Sequence, residues 1–425
     1  MKKLNHVIFI TFLIPAILLF PAFALSQNVD QASSGEDWRI LFNGEDLTGW
    51  HLLNGQHQAE VKDGVIVATS VDGLPNGFIA TKEEFGDFIL ELEVKADLLL
   101  HNSGIQFRSL SLDEYNNGRV HGYQAEVDIT PQAWSGGIYD EARRGWLYIL
   151  EDDDSPAKKA FINNQWNHYR IEAIGTTNRI WVNGIPTSNL EDNLTTKGFI
   201  GLQIHANSRS TNAPGNNRVF FRNIRIQTEN LEPSPFDDTF VVNLISNNIS
   251  PQEEHQGFEL LFDGETTNNW RGVSEQELPE DGWEIADGEL TIVSTGDEEL
   301  NVPFLEVPAS AHGGGIIMTD QEFTAFELKF DFKQHEEESI AGIEFLTGES
   351  KREAFFGRQA AKQTRRVGLW NQGVIKVKPD REVQYWLNGY PILKYQRDSD
   401  EPGRILLDDY GSSISYKSIK IRELH

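Results

Sequence analysis

The residues best suited to chemistry lie in one run, Gly122–Trp146 (GYQAEVDITPQAWSGGIYDEARRGW). It combines alternating polar groups, two tryptophans, a glycine pair and clustered opposite charges. If Tyr123–Ile129 is a strand, Gln124, Glu126 and Asp128 share one wall while Tyr123, Ala125 and Val127 take the other. Clustered titratable groups of this kind favour catalysis over simple binding of a neutral ligand. After Pro131 the alternation stops, Trp134-Ser135-Gly136-Gly137 reads as a loop, and Tyr139, Asp140, Glu141, Arg143 and Arg144 form a second cluster. A solvated strand and a charged turn would show the same pattern, because exposed sheet faces are polar.

Three further strands repeat the parity. Asn102, Gln106 and Arg108 alternate with Ile105 and Phe107; Gln203 and His205 alternate with Leu202 and Ile204; His168, Arg170 and Glu172 alternate with Tyr169 and Ile171. A sandwich sheet would collect these groups on its outer, concave face. For metals, His121, His168, His205 and Asp128 could converge, but neither a His-x-x-x-His spacing nor a calcium-loop spacing occurs, so no metal site is assigned.

The elements that must position these residues are strands. Phe88, Leu90, Leu92 and Val94 alternate with Ile89, Glu91, Glu93 and Lys95. Similar runs recur at Gly104–Arg108, His168–Ala173, Arg179–Val182, Gly198–Ile204 and Val219–Ile226, between turns such as Asp63-Gly64 and Asn183-Gly184. No stretch carries a helical stripe of three turns. Many short strands with turn signals between them predict an all-β sandwich or jelly roll.

The chain also repeats itself. Leu41-Phe42-Asn43-Gly44 with Trp50 returns as Leu261-Phe262-Asp263-Gly264 with Trp270, an offset of 220. Gly104-Ile105-Gln106-Phe107 matches Gly342-Ile343-Glu344-Phe345 at 238, whereas Trp181-Val182-Asn183-Gly184 matches Trp386-Leu387-Asn388-Gly389 at only 205. The second copy is therefore 33 residues shorter between those landmarks, and Gly122–Trp146 lies inside the lost interval. The scaffold is duplicated and the candidate site is not. The expected organisation is a signal over 1–26, a complete domain over 36–228, a Pro-, Asn- and acid-rich linker over 229–256 with one short strand near Phe240–Ile245, and a degenerate copy over 257–425.

A chain of 425 residues suits two domains. A net charge of -28 leaves no extended basic surface, which argues against nucleic acid or an anionic membrane as partner and leaves a neutral ligand. With no cysteine there is no disulfide, thiolate nucleophile or cysteine metal site. Lys2 and Lys3, an apolar run from Val7 to Phe23 and the small-x-small site Ala24-Leu25-Ser26 predict a cleaved export signal, hence a periplasmic or secreted protein; a retained membrane anchor is the competing reading.

Two resemblances bear on function. Glu126-Val127-Asp128 resembles the first half of the strand motif of laminarinase-like retaining glycosidases, but Ile129, Thr130 and Pro131 follow where the second Glu should stand, so a two-carboxylate hydrolase is disfavoured. LFNGEDLTGW, NSGIQFRS, GYQAEVD, WSGGIYDEARRGW, the Trp-Asn before a strand, the WVNG turn, GLQIHA and FRNIRI, in that order, resemble the 3-keto-disaccharide hydrolase domain family over residues 36–228. The second copy keeps only framework pieces: NSG has become IAG and GLQIH has become GRILLDD. The resemblance implies two tandem concanavalin/laminin-G-like jelly rolls, no cofactor, and activity on glycosides already oxidised at C3 by a separate sugar dehydrogenase. It implies Glu126 or Asp128 as the base that takes the C2 proton, Arg108 or Arg144 as the stabiliser of the enolate, and His205 or Tyr139 as the donor to the leaving oxygen. Asn102, Gln106, Gln124 and Gln203 would hold sugar hydroxyls, and Trp134 or Trp146 would stack on a sugar face. The alternative is a non-catalytic, lectin-like binder on the same fold.

Overall fold

In the computed structural model the described residues are 37–97, 102–152, 155–206, 217–272, 278–279, 282–292, 316–336, 342–347, 351–354, 362–408 and 413–425. The apparent export signal, 1–26, lies outside them. Among the described residues no helix is long and apolar enough to cross a membrane.

Alternation builds the sheets as the sequence predicts. In Phe88–Ala96 every second side chain, Phe88, Leu90, Leu92, Val94 and Ala96, is buried in the core, each large one contributing about 1.5–3 kcal/mol. Glu91 and Glu93 face outward and pair with Arg170, Arg225 and Arg222. The chain is all-β and forms jelly-roll sandwiches. In the first, one sheet runs Val241–Asn243, Ile185–Glu191, Thr177–Val182, Asn167–Ile174, Phe88–Ala96, Arg218–Gln227, Val65–Thr69, Gln58–Lys62, with Trp38–Ile40 added on Arg218–Gln227. The facing sheet runs Gly145–Tyr148, Ile138–Glu141, His121–Asp128, Asn102–Leu110, Gly198–Ile204, Gly77–Phe85, Trp50–Asn54.

The second sandwich repeats the framework bond by bond. Trp50 Nε1 donates to Leu41 O at 2.8 Å and Trp270 Nε1 to Leu261 O at 2.7 Å. Asn183 and Asn388 both sit at positive φ, accept from the His168 and Gln372 amides at 2.9 and 3.0 Å, and donate to Asn167 and Asn371. Among the described residues its larger sheet has eight strands and its smaller sheet five, Trp270–Gly272, Ile317–Thr319, Gly403–Asp408, Gly342–Thr347 and Lys351–Ala354, against seven in the first sandwich.

The connector is ordered and clamped at both ends. Val241–Asn243 pairs in parallel with Ile185–Glu191, and Asn189 donates to Gln252 at 2.9 Å. The short helix Pro251–His255 starts with a capping box between Ser250 and Glu253. Glu253 is buried and accepts from Lys329 and Lys420 of the second sandwich at 3.0 and 2.9 Å. Burial alone would raise the Glu253 pKa, but Lys329 and Lys420 hold it at about 2. Removing one partner from a buried charge cluster strands the others. Glu253→Ala should therefore lower the unfolding free energy by roughly 3–5 kcal/mol, read from urea denaturation; a loss below about 1 kcal/mol would show that the cluster does not hold the joint.

Candidate functional site

The strand His121–Asp128 sits between Asn102–Leu110 and Ile138–Glu141. Tyr123, Ala125 and Val127 enter the core. Gln124, Glu126 and Asp128 therefore stand on the outer face of the seven-stranded sheet. Gln106 lies opposite Gln124, and Gly201 opposite Gln106. Tyr139 lies opposite Gln124 on the other side.

These side chains form one hydrogen-bonded row. Ser109 Oγ donates to Gln106 Oε1 at 2.7 Å, Gln106 Nε2 to Gln124 Oε1 at 2.6 Å, and Gln124 Nε2 to Glu126 Oε2 at 2.8 Å. Asn102 Nδ2 donates to the other carboxylate oxygen, Glu126 Oε1. Gly104, directly across from Glu126, makes the row fit: a Cβ there would lie 2.3 Å from Gln124 Cδ. Gln203 is buried, and its Oε1 has no partner among the described residues, which leaves an acceptor for a ligand hydroxyl.

The row is buried because the chain folds back over it. Val120 packs with Phe78, Ala80 and Phe199, the apolar neighbours of the row on the same face, and Asn54 clamps Gly118 O and the Val120 amide at 2.9 and 2.8 Å. Tyr115 stacks on His121 at 3.9 Å. Arg119, at the end of this excursion, donates to Glu141 at 2.7 Å, and Asn76 joins Glu141 to the Ala206 amide beside His205. Burial pushes the Glu126 carboxyl up to about 8, against the hydrogen bonds from Gln124 and Asn102 and with help from Asp128 and Glu141. Burial also raises Tyr139, followed by the charges of Glu141 and Glu126, while Arg119 opposes them.

Of the predicted residues, Asn102, Gln106, Gln124, Glu126, Tyr139 and Gln203 share this face. His205 follows the Gly198–Ile204 strand, its Nδ1 2.9 Å from Ala206 O. Other predicted residues are engaged elsewhere. Asp128 uses both oxygens to hold the following loop, accepting from the Thr130 and Trp134 amides at 2.8 and 3.2 Å. Arg108 breaks the expected parity: a bulge between Phe107 and Leu110, with Arg108 at φ 48°, turns its side chain off the site face. Its guanidinium is buried on Gly86 O, Gly175 O, Asn178 and Asp87. Arg144 is bound to Asp140 and Asp192 beside the Tyr123 ring, on the opposite side of the sheet from Glu126.

Trp134 is 5% exposed and packs edge-on against Trp146 and against Tyr390 of the second sandwich, so it offers no open ring face. Trp146 is half-buried and meets Tyr139 at 5.1 Å. His168, Arg170 and Glu172 lie on the other sheet's outer face, around Glu91 and Ser234. Among the described residues no group of three His, Asp or Glu side chains is placed to hold a metal ion. Among the described residues the cation that faces the site is Arg119, beside Glu141 and Tyr139, which sequence parity could not find because it lies in a loop.

Between pH 4.5 and about 8 the unfolded chain ionises Glu126 while the folded chain keeps the proton, so stability falls as pH rises through that window. Glu126→Gln removes this loss. Its melting temperature relative to wild type should climb by several degrees from about pH 5 to about pH 9, at about 2–4 °C per kcal/mol. Parallel melting curves for the two proteins would place the Glu126 pKa near its ordinary value.

Compared with known proteins, residues 37–227, 257–359 and 348–422 match the family profile described as the 3-keto-alpha-glucoside-1,2-lyase-like domain. No curated protein matches the chain. Among solved structures, the carbohydrate-binding module CBM66 from Bacillus subtilis is similar at 18% identity over 42% of this chain and 95% of its own (TM-score 0.30). A galectin-like-fold protein of unknown function from Bacillus subtilis is similar at 16% identity over 45% and 94% (TM-score 0.34). The kappa-carrageenase from Pseudoalteromonas carrageenovora, in complex with an oligotetrasaccharide of kappa-carrageenan, is similar at 12% identity over 48% and 99% (TM-score 0.32).

Proposed function

Because the chain belongs to the 3-keto-alpha-glucoside-1,2-lyase-like domain family, we propose that its first sandwich cleaves glycosides carrying a ketone at C3, with Glu126 as the base. The observation that supports this reading is the buried Glu126 carboxyl, held at about 8 by its surroundings and flanked by amides. A C3 ketone acidifies the C2 proton, so a carboxylate of this basicity suffices to remove it. About one molecule in ten carries the ionised form at pH 7, and burial makes that form the stronger base.

The electron pair left at C2 is delocalised onto the C3 oxygen as an enolate. Arg119, in place of Arg108 or Arg144, is the cation on this face that would stabilise it. The enolate then expels the C1 oxygen with its electron pair, giving a C1–C2 double bond conjugated with the ketone. Tyr139 or His205 would protonate the departing oxygen. Water added across the double bond would complete net hydrolysis. Gln203 and Asn102 would orient sugar hydroxyls. No covalent glycosyl-enzyme is needed, in keeping with the lack of a second Glu after Asp128. The substrate implies an upstream enzyme that oxidises a sugar at C3, and residues 1–26 support a role outside the cytoplasm.

As the base must be ionised, kcat/KM on a 3-keto-disaccharide should rise with pH through a midpoint at about 8 and then level off. Glu126→Gln should lower sugar release by roughly 100- to 10,000-fold, whereas Asp128→Asn, which keeps one of the two loop acceptors, should cost far less. Glycan binding without turnover by the wild-type protein would instead establish a lectin-like module.

A further inference from the structure

Between the two sandwiches runs a cleft of about 690 Å³, within the range that encloses a small-molecule ligand, roughly 300–1,000 Å³. Its floor is the outer face of the eight-stranded sheet. Val383, Tyr385 and Leu387 enter the core, so Gln384 and Trp386 stand outward into the cleft. One row along, Lys417, Asp331 and Gln372 lie side by side on three neighbouring strands. The opposite wall comes from Trp146, Tyr148 and Ile149 of the first sandwich and from Phe240 and Val242 of the connector.

The charges lining this cleft are of both signs, Arg144, Arg365, Lys376, Lys378 and Lys417 against Glu151, Asp152, Glu327 and Asp331. Several are already paired: Lys376 binds Glu327 at 3.2 Å, Lys378 binds Glu382 at 2.6 Å, and Arg144 is held by Asp140 and Asp192. What they leave for a ligand is indole surface and side-chain amides. That combination suits a neutral sugar, whose C–H face packs on an aromatic ring and whose hydroxyls bond amides. A charged ligand would find no surplus of one sign.

The first sandwich shows what happens when this face is closed. Trp181, the counterpart of Trp386, is 8% exposed under Arg179, whose guanidinium lies 4.6 Å from the ring centre. The connector locks Arg179 there through Ser234 O, Pro235 O and Asp237. Ser234 also donates to Glu172 at 2.6 Å. In the second sandwich, among the described residues, no cation lies over Trp386, which lines the cleft instead. Among the described residues the second copy lacks counterparts of the Ile138–Glu141 and Gly145–Tyr148 strands and has an open face where the first has a covered one.

We infer that the cleft is a second carbohydrate site, distinct from the Glu126 pocket, which holds a neutral, unoxidised stretch of glycan against Trp386 and Trp146. The two sites share a wall, because Trp146 lines the cleft and touches Tyr139 at 5.1 Å. This assignment rests on the reading of the chain as a glycan-acting protein and not on the elimination chemistry.

The test is calorimetric titration of the full chain with maltotriose, cellotriose and laminaritriose, followed in parallel by tryptophan fluorescence. At least one trisaccharide should bind wild type and Glu126→Gln equally well. Trp386→Ala should weaken that binding at least tenfold, and Trp386→Phe should restore most of it. If Trp386→Ala fails to fold, the Gln372→Ala, Gln384→Ala double variant should show the same tenfold loss. Lack of binding by all three sugars at millimolar concentration, or unchanged affinity in these variants, overturns the assignment. Since unoxidised sugars and no turnover are involved, a failed cleavage assay leaves this result standing, and failed binding leaves the cleavage reading standing.

Discussion

A carboxyl group buried in the face of a β-sheet must either lose its charge or be surrounded by donors, and the first sandwich does some of each at Glu126. Gln124 and Asn102 supply a donor to each oxygen, yet burial still keeps the proton on at neutral pH. Several features meet at this group. Gly104 leaves the space that Gln124 fills, Gln106 and Ser109 extend the row so that its far end is also satisfied, and Tyr169 fixes the strand from the core side by donating to the Glu126 backbone carbonyl at 2.8 Å. The excursion that carries Arg119 and Val120 seals the face and so sets the degree of burial. Loosening any of these would readmit water and bring Glu126 back toward an ordinary carboxylate.

Duplication shows which parts serve the fold and which serve the site. The indole bonds of Trp50 and Trp270 and the paired asparagine turns at Asn183 and Asn388 recur in both sandwiches, so they belong to the framework. The row around Glu126 belongs to one copy. The connector fixes the two copies to each other by strand pairing on one side and by the Glu253, Lys329 and Lys420 cluster on the other. A buried cluster of this kind is weak evidence for stability in itself, but it ties the connector to one register on the second sheet.

Much of this was legible in the sequence because alternation is a local property. Phe88–Ala96 and Tyr123–Asp128 reveal their inner and outer faces by residue type alone, whereas the repeat count puts all of Gly122–Trp146 outside the shared framework although Lys351–Ala354 pairs on Gly342–Thr347 as His121–Asp128 pairs on Asn102–Leu110. Where local pattern and structure differ, the cause is a break in local regularity or a partner distant in sequence. The bulge after Phe107 reverses Arg108, which no parity count registers. Asp128 looks like a second base until the loop that returns to it supplies two amides. Arg144 looks like a free cation until Asp192, 48 residues on, takes it. Trp134 looks like a platform until Tyr390 of the other sandwich closes over it. Arg119 escapes a parity count because it sits in an irregular excursion, whereas the short strand expected in the connector is present as Val241–Asn243.

The claim on which the account stands is that Glu126 takes the C2 proton. The most direct measurement is proton NMR of a 3-keto-disaccharide in deuterated buffer, following the C2 signal with wild type and with Glu126→Gln at equal concentration. Wild type should remove the C2 proton, by exchange or by cleavage, while Glu126→Gln should leave it in place over the same period. Loss of the C2 signal at the wild-type rate in Glu126→Gln would place the base elsewhere and contradict the account.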